Sequence, residues 1–172
     1  MRYVAFLRGI NVSGQKLIKM ETLKPMFNIP GFKNIVTYIQ SGNVIFDSKD
    51  PENLRGKVEK LLFRGLGYQV PAMIRSLDEM KDIIAANPFA NTDMEGKKLY
   101  VYFLSAAPAA ERVEPMKNVL VPGEEFIIRG QEIYFLTPGY GTTKFANTYV
   151  EKKLAVQSTV RNWSTINKVL DL

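Results

Sequence analysis

The sequence predicts an α+β fold made of two successive halves, each of the order β-α-β-β-α-β, followed by a C-terminal helix. Three observations carry this prediction. Short β-branched and aromatic runs alternate with segments whose apolar residues recur at helical spacing. The strand starts of the first half, near residues 3, 35, 44 and 70, return near 99, 125, 133 and 158. A polar, turn-like stretch at 91–96 separates the two sets. The boundaries expected are therefore 1–90 and 91–172, held as one compact unit because no proline-rich linker intervenes. A 172-residue chain buries roughly 70% of its unfolded surface, so it needs no staple.

Residues 3–7 form a continuous apolar run suited to a strand buried on both faces, and a glycine-containing loop follows at 8–16. A helix fits 19–27, ahead of Pro30-Gly31. Runs at 35–39 and 44–46 flank Gln40-Ser41-Gly42-Asn43 and read as a hairpin. Leu54, Val58, Leu61, Leu62 and Leu66 then mark a helix between Pro51 and Gly67, before a strand at 70–74. Ser76-Leu77-Asp78-Glu79 is a capping-box pattern opening a helix that Asn87-Pro88 ends, with Leu77, Met80, Ile83 and Ile84 on its buried face. In the second half a strand is expected at 99–104, a helix at 109–119 and a hairpin of 125–129 with 133–136 around Gly130. Thr148 and Glu151 suggest a capped helix, and 158–160 a weak last strand. Trp163, Ile166, Val169 and Leu170 make an amphipathic final helix with Trp163 in the core. Taken in order, these elements give each half the ferredoxin-like sequence of strands and helices.

Composition narrows the chemistry. The chain has no cysteine, which excludes disulfides and thiolate chemistry and fits a reducing, cytoplasmic compartment. It has no histidine either, which removes Ser-His-Asp catalysis and most zinc, copper and haem ligation. No metal site and no cofactor is expected, and any catalysis would have to use Asp, Glu, Lys, Arg, Tyr, Ser or Thr, with a hard cation such as Mg²⁺ on carboxylates as the one metal chemistry left open. The apolar run at the N-terminus is too brief for a signal-peptide core, and nothing approaches the ~20 apolar residues of a membrane span. The net charge is +6, and residues 1–75 hold twelve Lys and Arg against five Asp and Glu, a field that favours anionic partners.

Three polar clusters sit at element ends, where function is commonly carried. The first, Arg8-Gly9-Ile10-Asn11-Val12-Ser13-Gly14-Gln15-Lys16, superficially resembles a phosphate loop. The lysine comes one residue late and Leu17 supplies no magnesium-binding hydroxyl, so a Walker-type site is rejected. Backbone N–H groups beside Arg8 and Lys16 can still meet an anion, or the glycines can simply serve a tight loop. The second is the hairpin tip, where Gln40, Ser41 and Asn43 either face a ligand or make an ordinary turn. The third joins Tyr140-Gly141-Thr142-Thr143-Lys144 and Asn147 to the region of Arg161, which can contact phosphate or make a structural ion pair while Asn162 caps the last helix. Tyr100 and Tyr102 lie on one side of a strand and either stack a base or, the better reading, pack under a helix. Asp47 and Asp50 read as turn and cap residues.

The run Leu7-Arg8-Gly9-Ile10-Asn11-Val12 resembles the signature of the bacterial domain of unknown function 1697 family. Tyr38-Ile39-Gln40-Ser41-Gly42-Asn43-Val44, the strand at 70–75, Asn87-Pro88-Phe89 and Arg161-Asn162-Trp163-Ser164-Thr165 follow in the same order. Ser13 stands where that family often has glycine, altering the loop's backbone freedom, and Val160 where it often has threonine, removing a hydroxyl. The resemblance implies two intertwined ferredoxin-like halves and no particular reaction. Three classes of function stay open. The first is binding of a phosphorylated small molecule, nucleotide or nucleic acid by one polar cleft on which Arg8, Asn11, Lys16, Gln40, Ser41, Asn43, Lys144 and Arg161 converge. The second is an enzyme acting on an anionic substrate without histidine or cysteine, with Arg8 or Arg161 stabilising developing charge, Lys16, Lys144 or Tyr38 handling protons, and no nucleophile nominated. The third is a structural or interaction protein.

Overall fold

A computed structural model of the chain describes residues 1–11 and 17–172. Its elements run β1 (Arg2–Leu7), α1 (Met20–Met26), β2 (Phe32–Tyr38), β3 (Asn43–Ser48), α2 (Leu54–Leu66), β4 (Ala72–Ser76) and α3 (Leu77–Ala85). They continue with β5 (Lys98–Leu104), α4 (Ala110–Val113), β6 (Glu125–Arg129), β7 (Glu132–Thr137), α5 (Asn147–Leu154), β8 (Ser158–Asn162) and α6 (Trp163–Lys168). The strands form two four-stranded antiparallel sheets, in the orders β2-β3-β1-β4 and β6-β7-β5-β8. The fold is thus mixed α+β. The chain divides into two compact units: unit 1 is residues 1–82 with 168–172, and unit 2 is 83–167. Among the described residues no helix is long and apolar enough to cross a membrane.

In unit 1 the alternation of β1 sends Tyr3, Ala5 and Leu7 to one face, where they pack with Leu23 and Phe27 of α1 and Val58, Leu61 and Leu62 of α2. Phe27, Phe32 and Phe46 pack together there, with ring centroids 4.4–6.3 Å apart. α2 begins where the Asn53 side chain accepts from Gly56 N (3.2 Å) and stops at left-handed Gly67, whose N–H returns to Phe63 O. In unit 2 Tyr102, Leu104, Phe126, Phe135, Phe145, Val150 and Leu154 make the corresponding core.

The two sheets repeat each other bond for bond at one end. Leu7 N donates to Gly42 O and Leu104 N to Gln131 O, both at 2.8 Å. Arg8 N donates to Pro71 O and Ser105 N to Gln157 O, both at 2.9 Å. Val4 opposes Arg75 across β1 and β4, as Val101 opposes Arg161 across β5 and β8.

Several expectations need correction. β2 starts at Phe32 and not at 35, because Phe32 and Lys33 pair with Ser48 and Asp47 before a register shift that bypasses left-handed Asn34. β4 lies two residues later than expected, since Pro71 has no N–H to offer a ladder. The helix expected over 109–119 is one turn of α4 followed by a 3-10 helix at 114–119, because Pro115 cannot continue the α-helical hydrogen bonding. α5 has no side-chain cap from Thr148; Glu151 accepts instead from Ser158 N at 2.9 Å, tying the helix to β8. β8, expected to be weak, pairs with β5 from Ser158 to Asn162. Trp163 is half-buried at the first position of α6, and the core positions of that stripe go to Ile166 and Val169.

Candidate functional site

The polar end of unit 1 is built on the backbone bonds that hold Leu7 to Gly42 and Arg8 to Pro71. They fix Arg8, half-buried, where β1 gives out beside the hairpin tip. Gly9 and Asn11 then take left-handed conformations, with φ of 68° and 53°, and turn the chain away. The Asn11 amide works on two elements at once. Its Nδ2 donates to Ile18 O (2.9 Å) and Gln40 O (2.7 Å), and its Oδ1 accepts from Ile18 N (2.7 Å). It therefore ties the chain just after β1 to Ile18 and to the hairpin. Lys16, and the phosphate-loop comparison as far as it concerns residues 12–16, lie outside the described residues.

The tip of the β2–β3 hairpin is a four-residue turn, 39–42, with Ile39 at φ 47° and Gly42 at φ 77°. Asn43 is fully buried; its Nδ2 donates to Tyr38 O (2.9 Å) and Ser41 Oγ (3.1 Å). Gln40 is exposed and Ser41 half-buried. Among the five described candidates of unit 1, Asn11 and Asn43 form the frame, and Arg8, Gln40 and Ser41 stand on its rim.

Unit 2 holds the other two candidates. Lys144 is exposed between Thr143, whose Oγ1 accepts from Phe145 N (3.0 Å), and the buried Phe145 ring stacked on Phe135 at 4.7 Å. Arg161 lies in β8 at 6% exposure, its Nη1 donating to Thr159 Oγ1 and Val160 O, both at 2.8 Å. Burial pulls its guanidinium down to about 9, which still leaves it charged at neutral pH. Asn162 caps α6, accepting from Thr165 N at 2.8 Å. Sequence reasoning left Arg75 off the candidates. It is 8% exposed at the matching position of β4 and donates in the same way to the preceding carbonyl, Ile74 O, at 2.8 Å. Aligning the two halves strand by strand is the signal that finds it.

Tyr100 and Tyr102 separate in role. Tyr102 is fully buried, its hydroxyl donating to Phe145 O, and burial pushes its phenol far up. Tyr100 is half-buried and packs in a tilted contact with Tyr140, ring centroids 4.6 Å apart. Asp47 accepts from Arg2 (2.9 Å) and Asn34 (2.5 Å), while Asp50 accepts from Glu52 N (2.9 Å) and pairs with Lys57. Among the described residues no group of three or more acidic side chains is placed to hold a metal ion. Cavities of about 540 Å³, beside Arg2, Lys33 and Lys49, and about 690 Å³, beside Glu21, Lys24 and Asn28, are lined by none of the described candidates.

The solved structure of the conserved bacterial protein SP0830 from Streptococcus pneumoniae matches this chain with a TM-score of 0.76, covering 99% of this chain and 97% of that one. At 20% sequence identity the likeness is one of fold. No curated protein matches the chain. A family model described as Protein of unknown function (DUF1697) matches residues 1–134, well over half of the sequence, and the chain belongs to that family.

Proposed function

We propose that the protein binds an anionic ligand, a phosphorylated small molecule, a nucleotide or a segment of nucleic acid, at the polar end of unit 1. Arg8 supplies the charge, Gln40 and Ser41 supply neutral hydrogen-bonding groups, and Asn11 and Asn43 hold the frame. Lys16, of the same polar cluster in the sequence, is the second cation of this reading. The observation that carries this reading is the double anchoring of Asn11 to Ile18 and to Gln40, which holds the chain just after a half-buried arginine against the hairpin tip. In unit 2, Lys144 and Arg161 are cations suited to the same class of ligand. The excess of basic residues over 1–75 adds attraction at long range. We read the halves as two ferredoxin-like repeats, intertwined in that the last five residues belong to unit 1, a reading supported by the strand orders and the matching backbone bonds. A bacterial cytoplasm is the compartment that fits the family and the cysteine-free composition.

Thermal unfolding against nucleotides, sugar phosphates, short RNA and single-stranded DNA tests the reading. A ligand at ~100 times its Kd adds about 2.7 kcal/mol, a shift of roughly 5–11 °C for a chain of this length. The shift is expected to vanish in Arg8→Ala. A panel with no shift at all, or one whose shift ignores Arg8→Ala, would sink it.

A further inference from the structure

We propose that unit 2 carries a separate ligand site, a cleft of about 320 Å³ between the start of β5 and the start of α6 that takes a small planar aromatic anion of mononucleotide size. The cleft is lined by Lys98, Leu99, Tyr100, Asn162, Trp163 and Ser164. Its volume is at the low end of small-molecule sites.

Two half-buried aromatic residues, Tyr100 and Trp163, line this space. Tyr100 is backed by Tyr140, whose ring lies 4.6 Å away and tilted by 34°, so its ring is supported from within the protein. Trp163, displaced from the core by its position at the first residue of α6, presents an indole that packing leaves half open. Half-open aromatic rings of this kind accept a flat apolar body.

The polar groups on the cleft are biased towards donors. Asn162 opposes Tyr100 across the two strands. Its Oδ1 accepts from Thr165 N (2.8 Å) and Ser164 Oγ (2.9 Å), so the acceptor end of the amide is committed to α6 and the Nδ2 end remains to donate. The indole N–H of Trp163 can only donate. Lys98 is exposed on the same face of β5 as Tyr100, and among the described residues it makes no ion pair. A flat ligand that carries a phosphate or carboxylate answers all three donors, and a neutral or cationic one does not.

Trp163 is the one tryptophan of the sequence, so its fluorescence reports on this cleft directly. Titration with adenosine monophosphate, uridine monophosphate and 4-hydroxybenzoate is expected to give saturable quenching by at least one of the three. Inorganic phosphate alone is expected to give none, and adenosine to bind more weakly than its monophosphate. Lys98→Glu, an exposed change that leaves the fold intact, is expected to weaken the quenching ligand about tenfold or more, the scale of a lost charge-assisted hydrogen bond. Tyr100→Ala should weaken it as well, while Arg8→Ala should leave it unchanged. The proposal is overturned if none of the three quenches, or if quenching survives both Lys98→Glu and Tyr100→Ala. Loss with Arg8→Ala alone would assign the signal to the unit 1 site instead.

Discussion

Gly42 shows how much of the unit 1 site hangs on single residues. Its φ of 77° lies where L side chains are strained, and a Cβ there would come within 2.4 Å of Ile10 Cδ1, 2.9 Å of Ile10 Cγ1 and 3.0 Å of Leu7 Cβ. The glycine lets the loop after β1 press against the hairpin tip, which is what brings Asn11 within reach of Gln40. Gly42→Ala should therefore cost about 1–3 kcal/mol by chemical denaturation, from overpacking added to backbone strain. A loss below about 0.5 kcal/mol would mean that the contact relaxes freely. The arginines show the opposite economy of position. Arg75 and Arg161 are nearly removed from water, yet among the described residues no buried side-chain nitrogen or oxygen lacks a hydrogen-bond partner. Their charge was plain in the sequence, but burial was not, because an arginine at the solvent end of a strand and one in its middle read alike.

At the scale of elements, local chemistry was most legible where one short motif decides the outcome. The Ser76 and Glu79 pattern closes as a reciprocal pair, Ser76 N donating to Glu79 Oε2 (2.7 Å) and Glu79 N to Ser76 Oγ (3.1 Å). It starts α3 directly at the end of β4, with no intervening loop. Ser76→Ala should cost about 1 kcal/mol in urea unfolding, whereas Glu79→Gln, which keeps the return bond, should cost clearly less. A Glu79→Gln cost as large as that of Ser76→Ala would show that the carboxylate's charge matters there as well as the paired bonds. The similar spacing of Thr148 and Glu151 misled, because Ser158 N offers Glu151 a partner on a neighbouring strand. Pro115 was visible in the sequence, and its effect on the helix at 109–119 follows from its missing N–H. β8 was faint because Ser158, Thr159 and Asn162 have little apolar pattern; its pairing with β5 supplies what propensity does not.

For the whole molecule, the chain returns to unit 1 for its last five residues, where Arg2 Nη2 donates to Leu172 O at 2.7 Å and Val169 is fully buried. Deleting residues 168–172 should lower stability by about 2–5 kcal/mol, the range for removing a large buried apolar side chain, as read from urea denaturation. A loss under 1 kcal/mol would make that return incidental to folding. The sequence by itself determined the order of strands and helices, the absence of thiol and imidazole chemistry, the repeat and the family, because periodicity, composition and short motifs are properties of neighbours along the chain. Only the tertiary structure decided which polar residues brace the fold and which face outward. Asn11 meets Gln40 and Asn162 turns its acceptor to α6 through hydrogen bonds whose partners are fixed by how the chain folds back, and Tyr100 parts from Tyr102 because burial depends on what covers a strand.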